Sequence, residues 1–128
     1  MSMFALTAAQ RETLRARLAE RDRLLRGEIE QGLHAATSAA DADAGRPDGP
    51  VADLESGIAV AEIERDAAEL NAVLAALARI EEGSYGQCTD CGGPIAFERL
   101  LAQPQAPRCI RCETERDRLR ARPSPPAL

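Results

Sequence analysis

Four cysteines are the residues of this sequence whose type and spacing point most directly to chemistry. Cys88, Cys91, Cys109 and Cys112 are all the cysteines in the chain, and they form the pattern C-x2-C-x17-C-x2-C. Cysteine thiolates are soft ligands that hold Zn²⁺ in a tetrahedron, and two facing CxxC turns supply the four that are needed. Gly92 follows the first pair, where a tight turn favours glycine. The spacing predicts one structural Zn²⁺.

Two other uses of paired cysteines have to be weighed, namely two disulfides and a thioredoxin-like redox CxxC. No apolar segment of signal-peptide length lies near the start of the sequence, so we expect a cytoplasmic protein, where thiols stay reduced. A redox site would need only one CxxC, and no βαβ pattern surrounds either pair. A structural metal site therefore explains the cysteines best.

Nothing in the sequence indicates an enzyme. A site closed by four cysteine ligands leaves zinc no open position for water or substrate. His34 is the only histidine. It lies far along the chain from the cysteines, and no nucleophile stands beside a suitable base. We expect His34 to be a surface residue.

The composition favours a small helical protein. The chain has 128 residues, within the size of one domain, and no apolar stretch of the roughly 20 residues that a membrane-spanning helix needs. It contains two Phe, one Tyr and no Trp, which excludes a large aromatic core. Most of the apolar residues are Ala and Leu, which are typical of long helices.

The charge distribution disfavours a general nucleic-acid binder. The formal net charge is −5, and all sixteen basic residues are Arg. Residues 35–87 contain three Arg and eleven acidic residues. Proteins that bind nucleic acids through phosphates carry a basic surplus instead.

The first part of the chain predicts one long helix. Thr7 and Gln10 form a capping-box pattern, in which each side chain accepts a backbone N–H of the other residue. From there to about Ala36, apolar residues recur at helical spacing, with Arg21 interrupting the stripe. The stripe consists of Leu14, Leu18, Leu25, Ile29 and Leu33.

A second long helix is predicted after a loop at residues 37–50, which are rich in Gly, Pro, Asp and Ala. It runs from about Val51 to Glu82, and Gly83 stands where a C-terminal cap is expected. Its apolar seam alternates steps of three and four with one polar position, as in a coiled coil. The seam comprises Ile63, Asp66, Leu70, Val73, Leu77 and Ile80.

These elements predict an all-α dominated fold. Residues 1–83 form an antiparallel coiled-coil hairpin with its tip loop at about 37–50, each arm about 45 Å long. Residues 84–120 form a four-cysteine zinc-finger lobe at the other end, with a short exposed C-terminal helix, and residues 121–128 form a tail. Ile95, Phe97 and Leu100 are expected to pack the lobe onto the hairpin. Because the helices pair within one chain, we expect a monomer.

The last third of the chain resembles the DksA/TraR family of bacterial zinc-finger regulators. The resemblance is carried by the run from Gly83 to Ile95, GSYGQCTDCGGPI, by RLLAQP from Arg99 to Pro104, and by Cys109-Ile-Arg-Cys112. It implies that the four cysteines bind zinc. It also implies a transcription regulator that binds RNA polymerase rather than DNA. In that family the coiled coil enters the secondary channel of the polymerase, and acidic residues at its tip act near the active site.

The tip of this chain departs from the family pattern. The family's Asp-x-x-Asp-x-Ala motif is absent. Counted back from the cysteines, Asp48 falls nearest the expected place, with Asp53 at the start of the second helix and Asp41 and Asp43 across the loop. The predicted tip residues are therefore Asp48 and Asp53, followed by Asp43 and Asp41.

Some members of the family respond to guanosine tetraphosphate, and this chain differs from them at two positions. Responsive members carry an arginine before the proline, where this chain has Gln103, and a lysine after the last cysteine, where it has Glu113. Loss of two cations weakens a phosphate site, because each makes a charge-assisted hydrogen bond. We expect no strong response to this nucleotide.

Two alternatives stay open at this point. The cysteine spacing also fits GATA-type fingers, which bind DNA, although such a finger needs a basic segment where this chain has Glu113-Thr-Glu115. The other alternative is a zinc-bearing adaptor for protein–protein interaction.

Overall fold

Two long antiparallel helices and two short ones make up the described part of the fold. The computed structural model describes residues 5–42 and 50–121, with the side chains of 5–38 and 57–121. Helix α1 spans Ala8–Ala42, α2 Pro50–Glu82, α3 Phe97–Ala102 and α4 Ile110–Ala121. Within the described ranges no strand forms, and Gln87 and Pro94 make one isolated antiparallel bridge. The predicted fold class, a helical hairpin with a zinc lobe, is confirmed.

The capping box at the start of α1 has the predicted hydrogen bonds. The Gln10 backbone N–H donates to Thr7 Oγ1 at 3.0 Å, and the Thr7 N–H donates to Gln10 Oε1 at 2.9 Å. The helix continues to Ala42, beyond its predicted end at about Ala36. The Thr37 hydroxyl donates to the Leu33 carbonyl at 2.9 Å, so this residue is accommodated inside the helix.

The two long helices are antiparallel and close. Arg21 of α1 is bonded to Glu69 of α2, while Gly32, further along α1, approaches Ile63, which lies earlier in α2. A Cβ on Gly32 would lie 3.1 Å from Ile63 Cγ1, so glycine permits this approach. At 1.5 Å per residue, helices of 35 and 33 residues are each about 50 Å long.

The hydrophobic contact between the helices is concentrated near the zinc lobe. Leu14, Leu18 and Leu25 of α1 and Val73 and Ala76 of α2 are fully buried. Of the predicted seam, Leu70, Leu77 and Ile80 are partly buried against this core. Leu33, the last residue of the predicted stripe, has a side chain that is 52% exposed. The apolar stripe of α1 therefore extends further along the sequence than the packed core does.

Gly83 ends α2 as predicted. Its φ of +83° lies in the left-handed region, which glycine adopts without steric cost. The N–H groups of Ser84 and Tyr85 then donate to the Arg79 carbonyl at 2.9 and 3.1 Å, which satisfies the end of the helix. The chain turns at this point into the zinc lobe.

Helix α3 was not predicted as a helix. It has only six residues and buries Leu100 completely. The Arg17 guanidinium of α1 donates to the Leu101 carbonyl of α3 at 2.9 Å, which ties the hairpin to the lobe. Helix α4 is the predicted exposed C-terminal helix and buries none of its residues. Among the described residues, no helix combines the length and apolar character that crossing a membrane requires.

Candidate metal centre

The four cysteines converge on one point at the base of the hairpin. Their Sγ atoms all lie within 4.8 Å of one another, and Cys91 Sγ is 3.9 Å from Cys109 Sγ. In a zinc tetrahedron with bonds of about 2.3 Å, neighbouring sulfurs are about 3.8 Å apart. All four thiols are free of disulfides. The donor set and its spacing fit one structural Zn²⁺, as the sequence predicted.

The first pair of ligands is presented by a tight turn. The Cys88 N–H donates to the Gly93 carbonyl at 2.7 Å, and the Gly92 N–H donates to the Cys88 carbonyl at 2.9 Å. Gly92 adopts a φ of +73°, which explains why glycine follows the second ligand. Two backbone N–H groups also donate to ligand sulfurs. The Cys91 N–H lies 3.5 Å from Cys88 Sγ, and the Gly93 N–H lies 3.4 Å from Cys91 Sγ.

The second pair of ligands sits at the beginning of α4. Cys109 immediately precedes the helix, Cys112 lies in its first turn, and the Glu113 N–H donates to the Cys109 carbonyl at 3.0 Å. The Thr89 N–H, inside the first turn, donates to the Pro107 carbonyl at 2.9 Å. The two ligand pairs are thus joined by backbone contact as well as by the metal they would share.

The ionisation of the thiols shows that the cluster suits a cation. Burial works against ionisation of Cys88, but hydrogen bonds from the backbone of Cys91, Cys109 and Asp90 outweigh it and lower the Cys88 pKa to about 6. Interactions with the sulfurs of Cys109 and Cys88 raise the Cys112 pKa to about 12. The Cys88 thiolate forms readily, while a Cys112 thiolate beside it needs a compensating positive charge. A bound Zn²⁺ supplies that charge.

A network of charged side chains surrounds the cysteine cluster. Asp90 lies between the first two ligands in sequence, and its carboxylate is 3.2 Å from Arg108 Nε and 3.8 Å from Arg116 Nε. Arg108 also pairs with Glu113 at 3.2 Å. The Arg108 Nε–H is not well aligned for a hydrogen bond, so its contact with Asp90 is best described as an ion pair. This network links the first ligand turn to α4.

Tyr85 connects the hairpin to the zinc lobe. Its side chain is 7% exposed, and its hydroxyl donates to the Pro104 carbonyl at 2.9 Å. Burial raises the Tyr85 pKa to about 12, and the neighbouring Arg79 cation opposes that shift. Ile95 and Leu100 complete the same core, and Phe97 packs against it, as predicted. The lobe therefore rests on the hairpin through an apolar core and through the Tyr85 backbone N–H, which donates to the Arg79 carbonyl, while the Tyr85 hydroxyl is bonded within the lobe.

Two of the four predicted tip residues, Asp41 and Asp53, lie at the opposite end of the hairpin from the cysteines. Asp41 falls in the last turn of α1, and Asp53 falls in the first turn of α2. Asp43 and Asp48 lie outside the described residues. The assignment of these four acids to a tip therefore stays a prediction, as do the proposed domain boundaries. His34 is exposed on α1.

The two residues that depart from the family's nucleotide site have local roles. Gln103 follows α3, where its N–H donates to the Arg99 carbonyl at 2.8 Å. Glu113 is bonded to Arg108 within the charged network. An acidic side chain thus occupies one position where responsive members carry a cation.

Sequence reasoning missed three features that position the centre. They are helix α3, the charged network and the buried hydroxyl of Tyr85. A signal existed for the network, since Asp90 stands inside one CxxC pair and Arg108 stands immediately before the other. Tyr85 carried a weaker signal as the only tyrosine in a chain with few aromatic residues.

Comparison with known proteins agrees with this geometry. The family model "Prokaryotic dksA/traR C4-type zinc finger" matches residues 83–118. "RNA polymerase-binding transcription factor DksA" from two strains of Caulobacter vibrioides is 42% identical over 43 residues, which cover 34% of this chain. The match spans only 30% of the length of those relatives.

The resemblance in fold extends over the whole hairpin. The structure of transcription factor DksA2 from Pseudomonas aeruginosa matches with a TM-score of 0.77 at 24% identity. The match covers 95% of this chain and 94% of that one. The family model thus covers the zinc lobe, while the fold match extends over most of the chain. The zinc lobe of this chain therefore matches the dksA/traR C4-type zinc finger, and the chain as a whole shares the fold of DksA2.

Proposed function

We propose that this chain is a transcription regulator that binds RNA polymerase directly. One observation carries the proposal, which is the combination of a DksA-type zinc finger with a DksA-like hairpin in a single chain. The relatives from Caulobacter vibrioides are named for binding RNA polymerase. Here the four cysteines act only in folding, because a closed set of sulfur ligands offers no site for catalysis.

The hairpin is the proposed binding element. Its helices are each about 50 Å long, and the lobe is attached at one end only, through Tyr85 and Arg17. This shape supports insertion of the free end into the secondary channel, as the family resemblance implies, with the zinc lobe staying at the entrance. The partner is one polymerase bound by one copy of the chain. Because RNA polymerase is a cytoplasmic enzyme in bacteria, binding to it implies the cytoplasmic location that the sequence predicts.

The tip acids are the proposed point of action near the polymerase active site. Asp48 ranks first and Asp53 second, with Asp43 and Asp41 on the other side of the loop. Acidic side chains suit this role, since they interact with the metal ions or basic residues that bind nucleotide phosphates. The acidic balance of residues 35–87, eleven acids against three Arg, is consistent with it.

We do not propose that guanosine tetraphosphate regulates this protein. A phosphate group needs cationic or N–H donors. The Glu113 carboxylate would repel it, and Arg108 beside it is already paired with two acids.

Direct reading of DNA is not supported by α4, the helix that would have to do it. The helix carries four Arg and three acidic residues, and two of those Arg are paired, Arg116 with Asp90 and Arg118 with Glu115. A groove-reading helix needs a clear surplus of cations, and here the acidic residues nearly balance the Arg. The remaining alternative is a zinc-bearing adaptor that binds another protein.

The experiment is a binding assay between the purified chain and purified core RNA polymerase. We expect a dissociation constant of about 1 μM or lower. Binding should be lost when a known secondary-channel factor is added in excess. Asp48→Asn should keep the affinity but change the lifetime of promoter complexes, because it removes a charge without changing the hairpin. Asp117→Asn on α4 makes the same charge change away from the tip and should alter neither property.

Each result bears on a different part of the proposal. No binding at micromolar concentration would favour the adaptor. Binding that survives competition would place the site outside the channel. Normal transcription by the Asp48→Asn and Asp53→Asn variants would show that the hairpin acts by occupying the channel alone.

A further inference from the structure

One charged pair interrupts the apolar contact between the two long helices. Arg21 lies between Leu18 and Leu25 on α1, and both of these leucines are fully buried. Its Nη2 donates to Glu69 Oε1 at 2.9 Å, and its Nε donates to Glu69 Oε2. The two side chains are 40% and 29% exposed. This bidentate pair is the ion pair that joins α1 to α2 within the described side chains.

The apolar residues around the pair do not fix the alignment of the helices by themselves. Leucine and valine side chains recur every three or four residues on both helices, so a shift by one turn again places apolar groups against apolar groups. Such a shift moves one helix by about 5 Å along the other. Alignment has to come from residues that fit only one partner.

Arg21 and Glu69 meet that requirement. If α2 shifted one turn in one direction, Arg21 would face Val73 and Glu69 would face Leu25, both of which are fully buried apolar residues. A shift of three residues in the other direction would place Glu69 against Leu18, while Arg21 would face Asp66. Either shift breaks both hydrogen bonds and brings a charge against apolar surface, which is costly.

Other acidic side chains near Arg21 stabilise its charge. The hydrogen bond to Glu69 is the largest influence raising the Arg21 pKa, and the carboxylates of Glu28 and Asp66 add to it. The bond to Arg21 in turn lowers the Glu69 pKa. Arg21 is thus a single cation facing three acids, with its two hydrogen bonds directed at one of them.

We propose that the Arg21–Glu69 pair sets the register of α1 against α2, and so fixes how far the free end of the hairpin lies from the zinc lobe. The position of the pair supports this role. The fully buried residues of the hairpin other than Leu25 lie between the pair and the lobe, while Leu33, Ile58 and Val60 beyond it are about half exposed. Among the described side chains towards the tip, the close approach of Ile63 to Gly32 accompanies this register.

This inference concerns the free protein and does not depend on polymerase binding. If the proposed function also holds, Arg21 and Glu69 are positioning residues that act through the tip without contacting the partner. A register error of one turn would displace the tip acids by about 5 Å, which is more than a hydrogen bond tolerates.

The experiment measures the register directly. Spin labels are attached through p-acetylphenylalanine at Gln31 and Glu81, which are exposed on α1 and α2, so that the zinc ligands stay untouched. These positions are about 30 Å apart along the hairpin, so a slip of one turn changes their distance by about 5 Å. Double electron–electron resonance should give one distance in the wild-type protein. The variant R21L/E69L should add a second distance in about a tenth or more of the molecules.

Two further variants complete the test. The exchanged pair R21E/E69R should restore the single distance, which loss of packing alone would not do. The control R23L/E20L removes an exposed ion pair that lies wholly within α1 and should leave one distance. If R21L/E69L does not fold, judged by circular dichroism, the isosteric E69Q variant replaces it. A single unchanged distance in whichever of these two variants is folded would overturn the proposal.

Discussion

The Arg108 guanidinium lies 3.2 Å from the Asp90 carboxylate, and this contact joins the two halves of the zinc centre. Asp90 belongs to the first ligand turn, and Arg108 precedes the first ligand of the second. The same carboxylate also reaches Arg116 on α4. Since α4 buries none of its own residues, its orientation depends on these ion pairs and on the bond that Cys112 would make to a bound zinc ion.

Asp90→Asn should therefore loosen α4 while zinc stays bound. The substitution keeps the size of the side chain but removes the charge that pairs with both arginines. We expect a loss of about 1 kcal/mol in the free energy of unfolding, together with faster hydrogen exchange at the amides of α4. Glu115→Gln is the matched control, because it breaks an exposed pair with Arg118 on the same helix. Equal effects of the two variants would argue against a special role of Asp90.

Removal of zinc should unfold the lobe and leave much of the hairpin. Binding of a structural metal is coupled to folding, so chelation or Cys109→Ser should melt residues 84–120. Helices α3 and α4 contribute 18 helical residues, against 68 in α1 and α2. Circular dichroism at 222 nm should thus fall by only about a fifth. Metal analysis should give one zinc per chain, and unchanged thermal unfolding of a zinc-free sample would refute the structural role.

The ionisation of Tyr85 gives a direct measure of its burial. As the only tyrosine in a chain without tryptophan, it can be titrated alone by its absorbance at 295 nm. We expect a pKa of about 12 in the folded protein and about 10 in denaturant. A folded-state value near 10 would mean that the side chain is open to solvent.

The raised pKa of Tyr85 also predicts how the stability of the protein depends on pH. Because the Tyr85 pKa is higher in the folded state, the folded protein binds this proton more tightly than the unfolded chain does. The resulting stability is fully present below about pH 10 and is lost as pH rises towards 12. Tyr85→Phe should lack this loss, although it should be less stable at neutral pH by about 1 kcal/mol, since the Pro104 carbonyl loses its donor. Urea unfolding at pH 8 and pH 11 measures both effects.

Two glycines should respond to alanine in opposite ways. Gly86 has a φ of +92°, and a Cβ there would lie 3.0 Å from Leu6 Cδ1. Gly86→Ala should cost about 1–2 kcal/mol in the free energy of unfolding. Gly27 lies inside α1 with no atom within 4 Å of a Cβ, so Gly27→Ala should stabilise the protein by about 0.5–1 kcal/mol. Chemical denaturation of the two variants provides the comparison, and a change of the same sign in both would contradict it.

The local features of this protein could be read from its sequence because they depend on short-range chemistry. The capping box of Thr7 and Gln10, the cap at Gly83 and the four-cysteine cluster each involve residues with few physical alternatives. The two long helices followed from the repetition of apolar residues, which averages over many positions.

The features that escaped prediction depend on contacts between distant parts of the chain. Leu33 continues the apolar stripe of α1, yet it is exposed, because burial depends on what the facing helix supplies at that level. Helix α3 is only six residues long, too short for a periodic signal, and it is supported by the bond from Arg17. The tip acids could not be assigned from either source. Their family motif is absent from the sequence, and two of them lie outside the described residues.

The bond between Arg17 and the Leu101 carbonyl spans 84 positions of the chain. Contacts so distant in sequence form late, because a long loop must close before they can be made. A ribosome delivers α1 and α2 first, and their pairing needs nothing from the lobe beyond Gly83. We therefore expect the hairpin to assemble during synthesis and the lobe to dock onto it last. Until the second pair of cysteines has emerged, the inner surface around Leu14 and Leu18 lacks its final cover, and this interval is when the nascent chain is most exposed to aggregation.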